Sequence, residues 1–141
     1  MRNHFAYTIF SLLLSTGLYY AQSDILLKNQ FKPLFSRHWT SDYSILRGRK
    51  VENKDTLTQI SYSFKRDHTF ILRSYPGMKE VTGNWEYDPK GKMINLKVNS
   101  RHTSSIILIS DTIVVMKFSN IRGLPTDLAN GRFYYKPRPD L

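Results

Sequence analysis

Residues 59–72 read Gln59-Ile60-Ser61-Tyr62-Ser63-Phe64-Lys65-Arg66-Asp67-His68-Thr69-Phe70-Ile71-Leu72, and their alternation decides the fold. Ile60, Tyr62 and Phe64 hold one phase of a period-two pattern, and Ser61, Ser63 and Lys65 hold the other. Arg66-Asp67-His68 makes a tight turn, after which Phe70 and Leu72 resume the apolar phase. Successive side chains of a strand point to opposite faces, so the stretch describes two half-buried strands joined as a hairpin.

Outward from this hairpin the same pattern recurs, with turn signals every 8 to 12 residues or so, as in an all-β meander. Trp39, Tyr43 and Ile45 alternate in a first strand that runs on toward Leu46. Tyr75-Pro76-Gly77 closes the third strand. Val81, Gly83, Trp85 and Tyr87 share a face of the fourth, which ends at Asp88-Pro89-Lys90-Gly91, a sequence suited to a type I turn. Ile94, Leu96 and Val98 alternate in the fifth, before a polar break at Asn99 to Thr103. Ser104 to Ile109 and Thr112 to Phe118 form a hairpin about Ser110-Asp111, and their nearly continuous apolar runs predict coverage on both faces. A loop from Asn120 to Gly131 holds one helical turn after Pro125, and Phe133 and Tyr135 belong to the last strand. Eight short antiparallel strands with one apolar face remove their edges by closing into a barrel or by packing as a two-sheet sandwich. Sequential short hairpins favour the eight-stranded up-and-down barrel.

Three stretches carry a family resemblance over residues 36–136. These are the aromatic opening Ser36-Arg37-His38-Trp39, the hairpin Phe64-Lys65-Arg66-Asp67-His68-Thr69-Phe70, and Gly83-Asn84-Trp85-Glu86-Tyr87. They resemble the opening strand, the Asp-Gly-Thr-Phe turn and the Gly-x-Trp strand of the small lipocalin-like domains of secreted bacterial proteins, with Arg37 and His68 standing where that pattern has glycine. The resemblance implies a non-enzymatic barrel that holds a small apolar molecule, without a fixed set of binding residues.

The segment before the barrel reads as an address. From Asn3 to Ser23 no Lys, Arg, Asp or Glu occurs, Arg2 precedes the run, and Phe5 to Leu18 is largely apolar. This is the form of a signal peptide over residues 1–21, with cleavage between Ala21 and Gln22; the rival is a membrane anchor of near-minimal length. Residues 22–38 form an N-terminal segment in which Asp24 to Phe35 has near-helical apolar spacing before Pro33. The barrel domain then covers 39–141. The chain has no cysteine, which excludes disulfides, thiolate metal sites and a cysteine nucleophile, and an exported protein without bridges points to a bacterial periplasm or secretion.

Chemistry is sought and largely not found. His38, His68 and His102 lack the close spacing of a zinc site, no hydrolase elbow or phosphate loop occurs, and Glu86 and Asp88 fall on the strand face opposite Trp85 and Tyr87. Neither enzyme activity, nor a metal, nor a cofactor is expected. Two binding readings remain. In the first, a small hydrophobic or aromatic ligand occupies the barrel interior, where the candidate residues are Tyr43, Tyr62, Phe64, Trp85, Tyr87, Phe118 and Tyr135, with Leu72, Met116 and Phe133 on the same face. There the hydroxyls of Tyr43, Tyr62, Tyr87 and Tyr135 form a polar fringe, and Trp39 and Trp85 plug the core. The second uses the formal charge of +10. Six basic and two acidic residues lie in 24–50, six and six in 51–91, and eight and three in 92–141. Closure brings the first and last strands together, so Arg47, Arg49, Lys50 and Arg132 form a basic seam for an anionic surface or an acidic protein. A nucleic-acid-stacking barrel of the five-stranded type fits neither the strand count nor export.

Overall fold

The structure, a computed structural model, describes residues 29–54, 59–74, 79–119 and 125–138. The signal segment, its cleavage point, residues 24–28 of the expected helix and the Tyr75-Pro76-Gly77 turn lie outside the described residues. The chain divides after Lys32 into two units, and the barrel lies in the second. A short helix α1 (Lys32–Phe35) is followed by β1 (His38–Leu46), β2 (Arg49–Glu52), β3 (Ile60–Phe64), β4 (Thr69–Ser74), β5 (Lys79–Asp88), β6 (Met93–Val98), β7 (Arg101–Ile109), β8 (Val114–Phe118), α2 (Thr126–Ala129) and β9 (Arg132–Pro137). The helical residues Asn29 and Gln30 end at a turn at Phe31, two residues ahead of Pro33, and Pro33 itself sits in the first turn of α1, where a proline forfeits no helical hydrogen bond. The single helical turn expected after Pro125 is α2.

Each strand pairs antiparallel with its neighbours, and β1 also pairs with β9. Eight strands, β1 and β3–β9, therefore close into an up-and-down barrel. The alternation of residues 59–72 sets this architecture directly, because Tyr62 opposes Leu72 and Phe64 opposes Phe70 on the inner face.

The ninth strand, β2, was not foreseen. Its residues Arg49-Lys50-Val51-Glu52 are all exposed and show no apolar alternation. It forms because Arg47 and Gly48 both take positive φ, 50° and 74°, the geometry of a two-residue type I′ hairpin turn. β1 thus pairs with β3 over His38 to Thr40 and with β2 over Tyr43 to Leu46. A second pair of positive φ values, 49° at Asn99 and 63° at Ser100, shortens the expected polar break to a two-residue turn, and β7 begins at Arg101.

Bulges correct the expected faces in two places. The β1–β9 register steps from Ser41↔Tyr135 to Tyr43↔Tyr134, leaving Asp42 as an extra residue. An extra residue reverses the alternation beyond it. Ser44, opposite the inward Phe133, therefore faces in, and Tyr43 faces out. The β7–β8 register likewise skips Ile107. Ile106 and Ile109 face in and Leu108 faces out, 49% exposed, so the β7 run reflects a bulge and Leu108 is not covered, whereas on β8 the outward Val115 is buried as well as Val114 and Met116.

The base of the barrel is the packed end. Trp39, Tyr62, Phe64, Phe70, Trp85, Ile94, Leu96, Ile106, Val114, Met116 and Tyr135 are buried. Segment 33–37 covers that end: Leu34 is fully buried, its carbonyl accepts a 3.2 Å hydrogen bond from Trp39 Nε1, the Phe35 ring lies 5.5 Å from that of Trp85, and Arg37 donates to the Asp111 carbonyl on the β7–β8 turn. In the β3–β4 turn, Asp67 Oδ1 accepts from the Thr69 N–H at 3.0 Å, and the Thr69 hydroxyl and amide hold its carboxyl below the usual range. His68 has φ of 66°, which glycine adopts without strain. Its ring stacks on Trp85 at 4.2 Å, so the side chain that causes the strain also covers the buried indole.

Gly83 is required by close packing. A Cβ there would lie 2.4 Å from Phe70 Cζ and 2.5 Å from the Lys97 carbonyl oxygen. Gly83→Ala is expected to lower unfolding stability by roughly 1–3 kcal/mol, read from urea midpoints, whereas an unchanged midpoint would mean that Phe70 does not press on β5.

Candidate ligand-binding site

The inner face changes character along the barrel axis. The base is filled with rings, while at the mouth, where the β1–β2 turn and the segment before β9 lie, inward positions carry Ser44, Val51, Ile60, Leu72 and Val81. Val51 pairs with inward Ser44, and Val81 pairs with inward Leu72, yet they remain 48% and 36% exposed. Apolar side chains on the inner face of a barrel that still meet water mark a mouth that is not filled.

A cavity of about 260 Å³ opens there. Phe118, Phe133 and Tyr135 form its aromatic wall, Ile60 and Val51 extend it, and Ser41 and Asn53 supply polar atoms. The Phe118 and Phe133 rings meet edge to face at 4.5 Å, which fixes the wall's shape. Ser41 accepts from Asn53 Nδ2 at 2.7 Å and from the Ile60 N–H at 3.2 Å, and the Asn53 N–H bonds the Asp42 carbonyl at 2.9 Å. These bonds stitch the point at which β1 changes partner from β3 to β2.

The candidate residues separate into three groups. Phe118 and Tyr135 line the cavity. Tyr62, Phe64 and Trp85 do not; they are buried in the packed base. Tyr87 is half-buried opposite Ile94, on the inner face but at the base. Tyr43 is corrected from the inner to the outer face by the bulge at Asp42. It stacks on Tyr134 at 4.3 Å, with Lys50 Nζ 4.5 Å from its ring centroid, and is one of the outward-facing residues of the cavity wall, with Glu52 and Tyr134. The cavity residues that alternation did not single out as inward are Ser41, Ser44, Val51 and Asn53. The two serines carry no apolar signal, Val51 sits in an unforeseen strand, and Asn53 lies outside any strand. Only the Arg47-Gly48 dipeptide offered a clue, as a two-residue turn that folds β2 back over this end.

The tyrosine hydroxyls form no polar fringe. Tyr62 is hydrogen bonded to Tyr135 and Ser104 inside the core, and burial pushes its phenol up to about 12. Burial, with the neighbouring Tyr62, raises Tyr135 well above the ordinary phenol range. Tyr135 therefore offers the cavity its ring, while its hydroxyl is engaged with Tyr62.

On the outer face, Ile45 pairs with Arg132 on one side and with Lys50 on the other, whereas Arg49 pairs with Leu46 on the opposite face. Lys50 and Arg132 thus share one outer row across β2, β1 and β9, Arg47 stands at the β1–β2 turn, and Arg49 is on the other face of β2. Arg47 is ion-paired with Asp127 and Lys50 with Glu52 at 3.3 Å, so only Arg49 and Arg132 of the four have no ion-pair partner among the described residues. A groove lined by Ile45, Arg47, Gly48, Asp127 and Arg132 runs beside them. The histidines are apart: His38 Nδ1 meets Ser63 Oγ at 2.5 Å, His102 Nε2 meets Ser105 Oγ at 2.9 Å, and His68 lies on Trp85. Among the described residues no group of three His, Cys, Asp or Glu side chains could hold a metal ion. Glu86 is turned outward onto Lys97 at 2.7 Å.

No protein-family model, no curated protein and no solved structure matches the chain. The site is therefore read from its own geometry.

The buried tyrosines set the alkaline limit of stability. In an unfolded chain a phenol ionises near pH 10, whereas the folded chain keeps Tyr62 protonated to about pH 12. The folded state binds more protons in this window, so the contribution is complete below pH 10 and is lost as pH rises through 12. Unfolding free energies from urea titrations are expected to fall between pH 9 and 12, by about 2 kcal/mol for Tyr62 alone. Tyr62→Phe should flatten the fall, and a slope identical to wild type would show that Tyr62 is not the titrating group.

Proposed function

We propose that this protein is an exported, non-enzymatic binding protein of lipocalin-like form that takes a small aromatic or apolar molecule into the mouth of its barrel. One observation carries the reading. The inner face at the mouth leaves Val51 partly exposed on a cavity walled by Phe118, Phe133 and Tyr135, while the base of the same barrel is packed full. A barrel that served only as a scaffold would gain stability by filling this end as it fills the other. The cavity, at about 260 Å³, lies just under the ~300–1,000 Å³ range of drug-sized pockets, so the ligand is of single-ring size. Export to the periplasm or outside the cell is supported by the run from Arg2 to Ser23 and by the lack of cysteine.

A second reading, favoured by the Arg132–Ile45–Lys50 row, makes the outer seam a contact for an anionic surface or acidic protein. Its strength rests on Arg132, since Arg47 and Lys50 already have carboxylate partners and Arg49 is on the opposite face of β2. Arg132→Glu should then elute earlier from heparin at moderate salt, and coincident elution would remove this reading.

For the interior site, toluene titrated into ¹⁵N-labelled protein should give saturable shifts at Ser44, Phe118 and Phe133. Ser44→Leu, which places a branched side chain opposite Phe133, should weaken binding at least about tenfold, the scale of a few buried methylenes. Absence of saturable shifts at millimolar toluene would contradict the reading.

A further inference from the structure

Ser41 occupies the inner face opposite Tyr135, at the deep end of the cavity. A hydroxyl has one donor hydrogen and two acceptor lone pairs. Asn53 Nδ2 and the Ile60 N–H take both lone pairs, which holds the oxygen in place from two sides. The remaining O–H has no acceptor among the described residues, and Ser41 lines the cavity. The other inward-facing hydroxyls at the cavity do not match it. The Tyr135 hydroxyl is engaged with Tyr62 in the core, and Ser44, one position nearer the rim, makes no hydrogen bond among the described residues that would fix its direction.

We infer that the ligand is an aromatic molecule bearing one hydrogen-bond acceptor, a carbonyl or ether oxygen, which the Ser41 hydroxyl binds while the ring lies against Phe118, Phe133 and Tyr135. This rests on the proposed interior site and makes it specific. A fixed donor beside an aromatic wall orients a ligand and separates it from hydrocarbons of the same shape. The bonds that fix the donor also join β1 to β2 and β3, so the residue that defines the switch between strands also sets selectivity.

The test compares acetophenone with α-methylstyrene, which replaces the carbonyl oxygen by a methylene group, by NMR titration of wild type and Ser41 variants. Ser41→Ala should weaken acetophenone about tenfold, as expected when a bound acceptor loses its partner, and leave α-methylstyrene within about twofold. Ser41→Thr, which keeps a hydroxyl, should restore acetophenone. Because Ser41→Ala also removes the acceptor for Asn53 and Ile60, Ser41→Cys provides a second variant of similar size with a weak donor; it should discriminate in the same direction. Equal losses for both probes in Ala and Cys would overturn the assignment of Ser41 while leaving the interior site standing. If neither probe binds wild type, both the inference and the interior site fail.

Discussion

The Ser41 hydroxyl, held between Asn53 and Ile60 beside the bulge at Asp42, is the constraint on which the mouth of this barrel depends. At this point β1 stops pairing with β3 and starts pairing with β2. A strand can change partner in mid-course only if the backbone groups left between the two ladders find other bonds, since an unpaired buried amide costs about 1–3 kcal/mol. Ser41 takes the Ile60 amide, and the Asp42 carbonyl takes the Asn53 amide. The extra residue then turns Ser44 inward and Tyr43 outward. A small side chain faces Phe133 where an aromatic one would have stood, and the cavity is the space that this exchange leaves.

The contrast between the two ends follows from side-chain volume. At the base, Trp39, Phe64, Phe70 and Trp85 converge, Gly83 makes room for Phe70, and segment 33–37 lies over the opening. Large rings bury the area that dominates core energetics, so this end carries most of the stability and its polar groups are tied to it: Trp39 Nε1 to Leu34, and Trp85 Nε1 to the Lys65 carbonyl at 2.9 Å. At the mouth, Phe118 and Phe133 face inward serines and aliphatics on shorter side chains. One barrel thus divides its interior between a packed half and a half available to a ligand.

How much of this the sequence shows depends on where the alternation is unbroken. Residues 59–72, 81–87 and 94–98 keep a single phase, and their strands, faces and turns follow directly. Bulges defeat the same reasoning because one inserted residue leaves composition unchanged. Trp39, Tyr43 and Ile45 stand at even spacing and read as one face, although Asp42 puts Tyr43 and Ile45 on the other. Ile106 to Ile109 reads as doubly buried, although Ile107 is a bulge and Leu108 is exposed. The candidate site suffered accordingly: aromatic residues were legible as inward-facing, but which of them fill the core and which line a cavity depends on depth along the barrel axis, which alternation does not encode. Tyr62 and Tyr135 also show that a hydroxyl on the inner face need not face the cavity, since each satisfies the other. The basic seam was legible from charge at the two chain ends plus closure, but its neutralisation by Asp127 and Glu52 depends on side-chain geometry.

Xenon binding to crystals under pressure tests the central claim most directly, because xenon enters apolar cavities that packing has left unfilled. The account predicts a xenon peak among Ile60, Phe118, Phe133 and Tyr135 at the mouth and none among Trp39, Phe64, Phe70 and Trp85 at the base. A mouth without xenon, its volume taken by Val51 and the Phe133 ring, would contradict it.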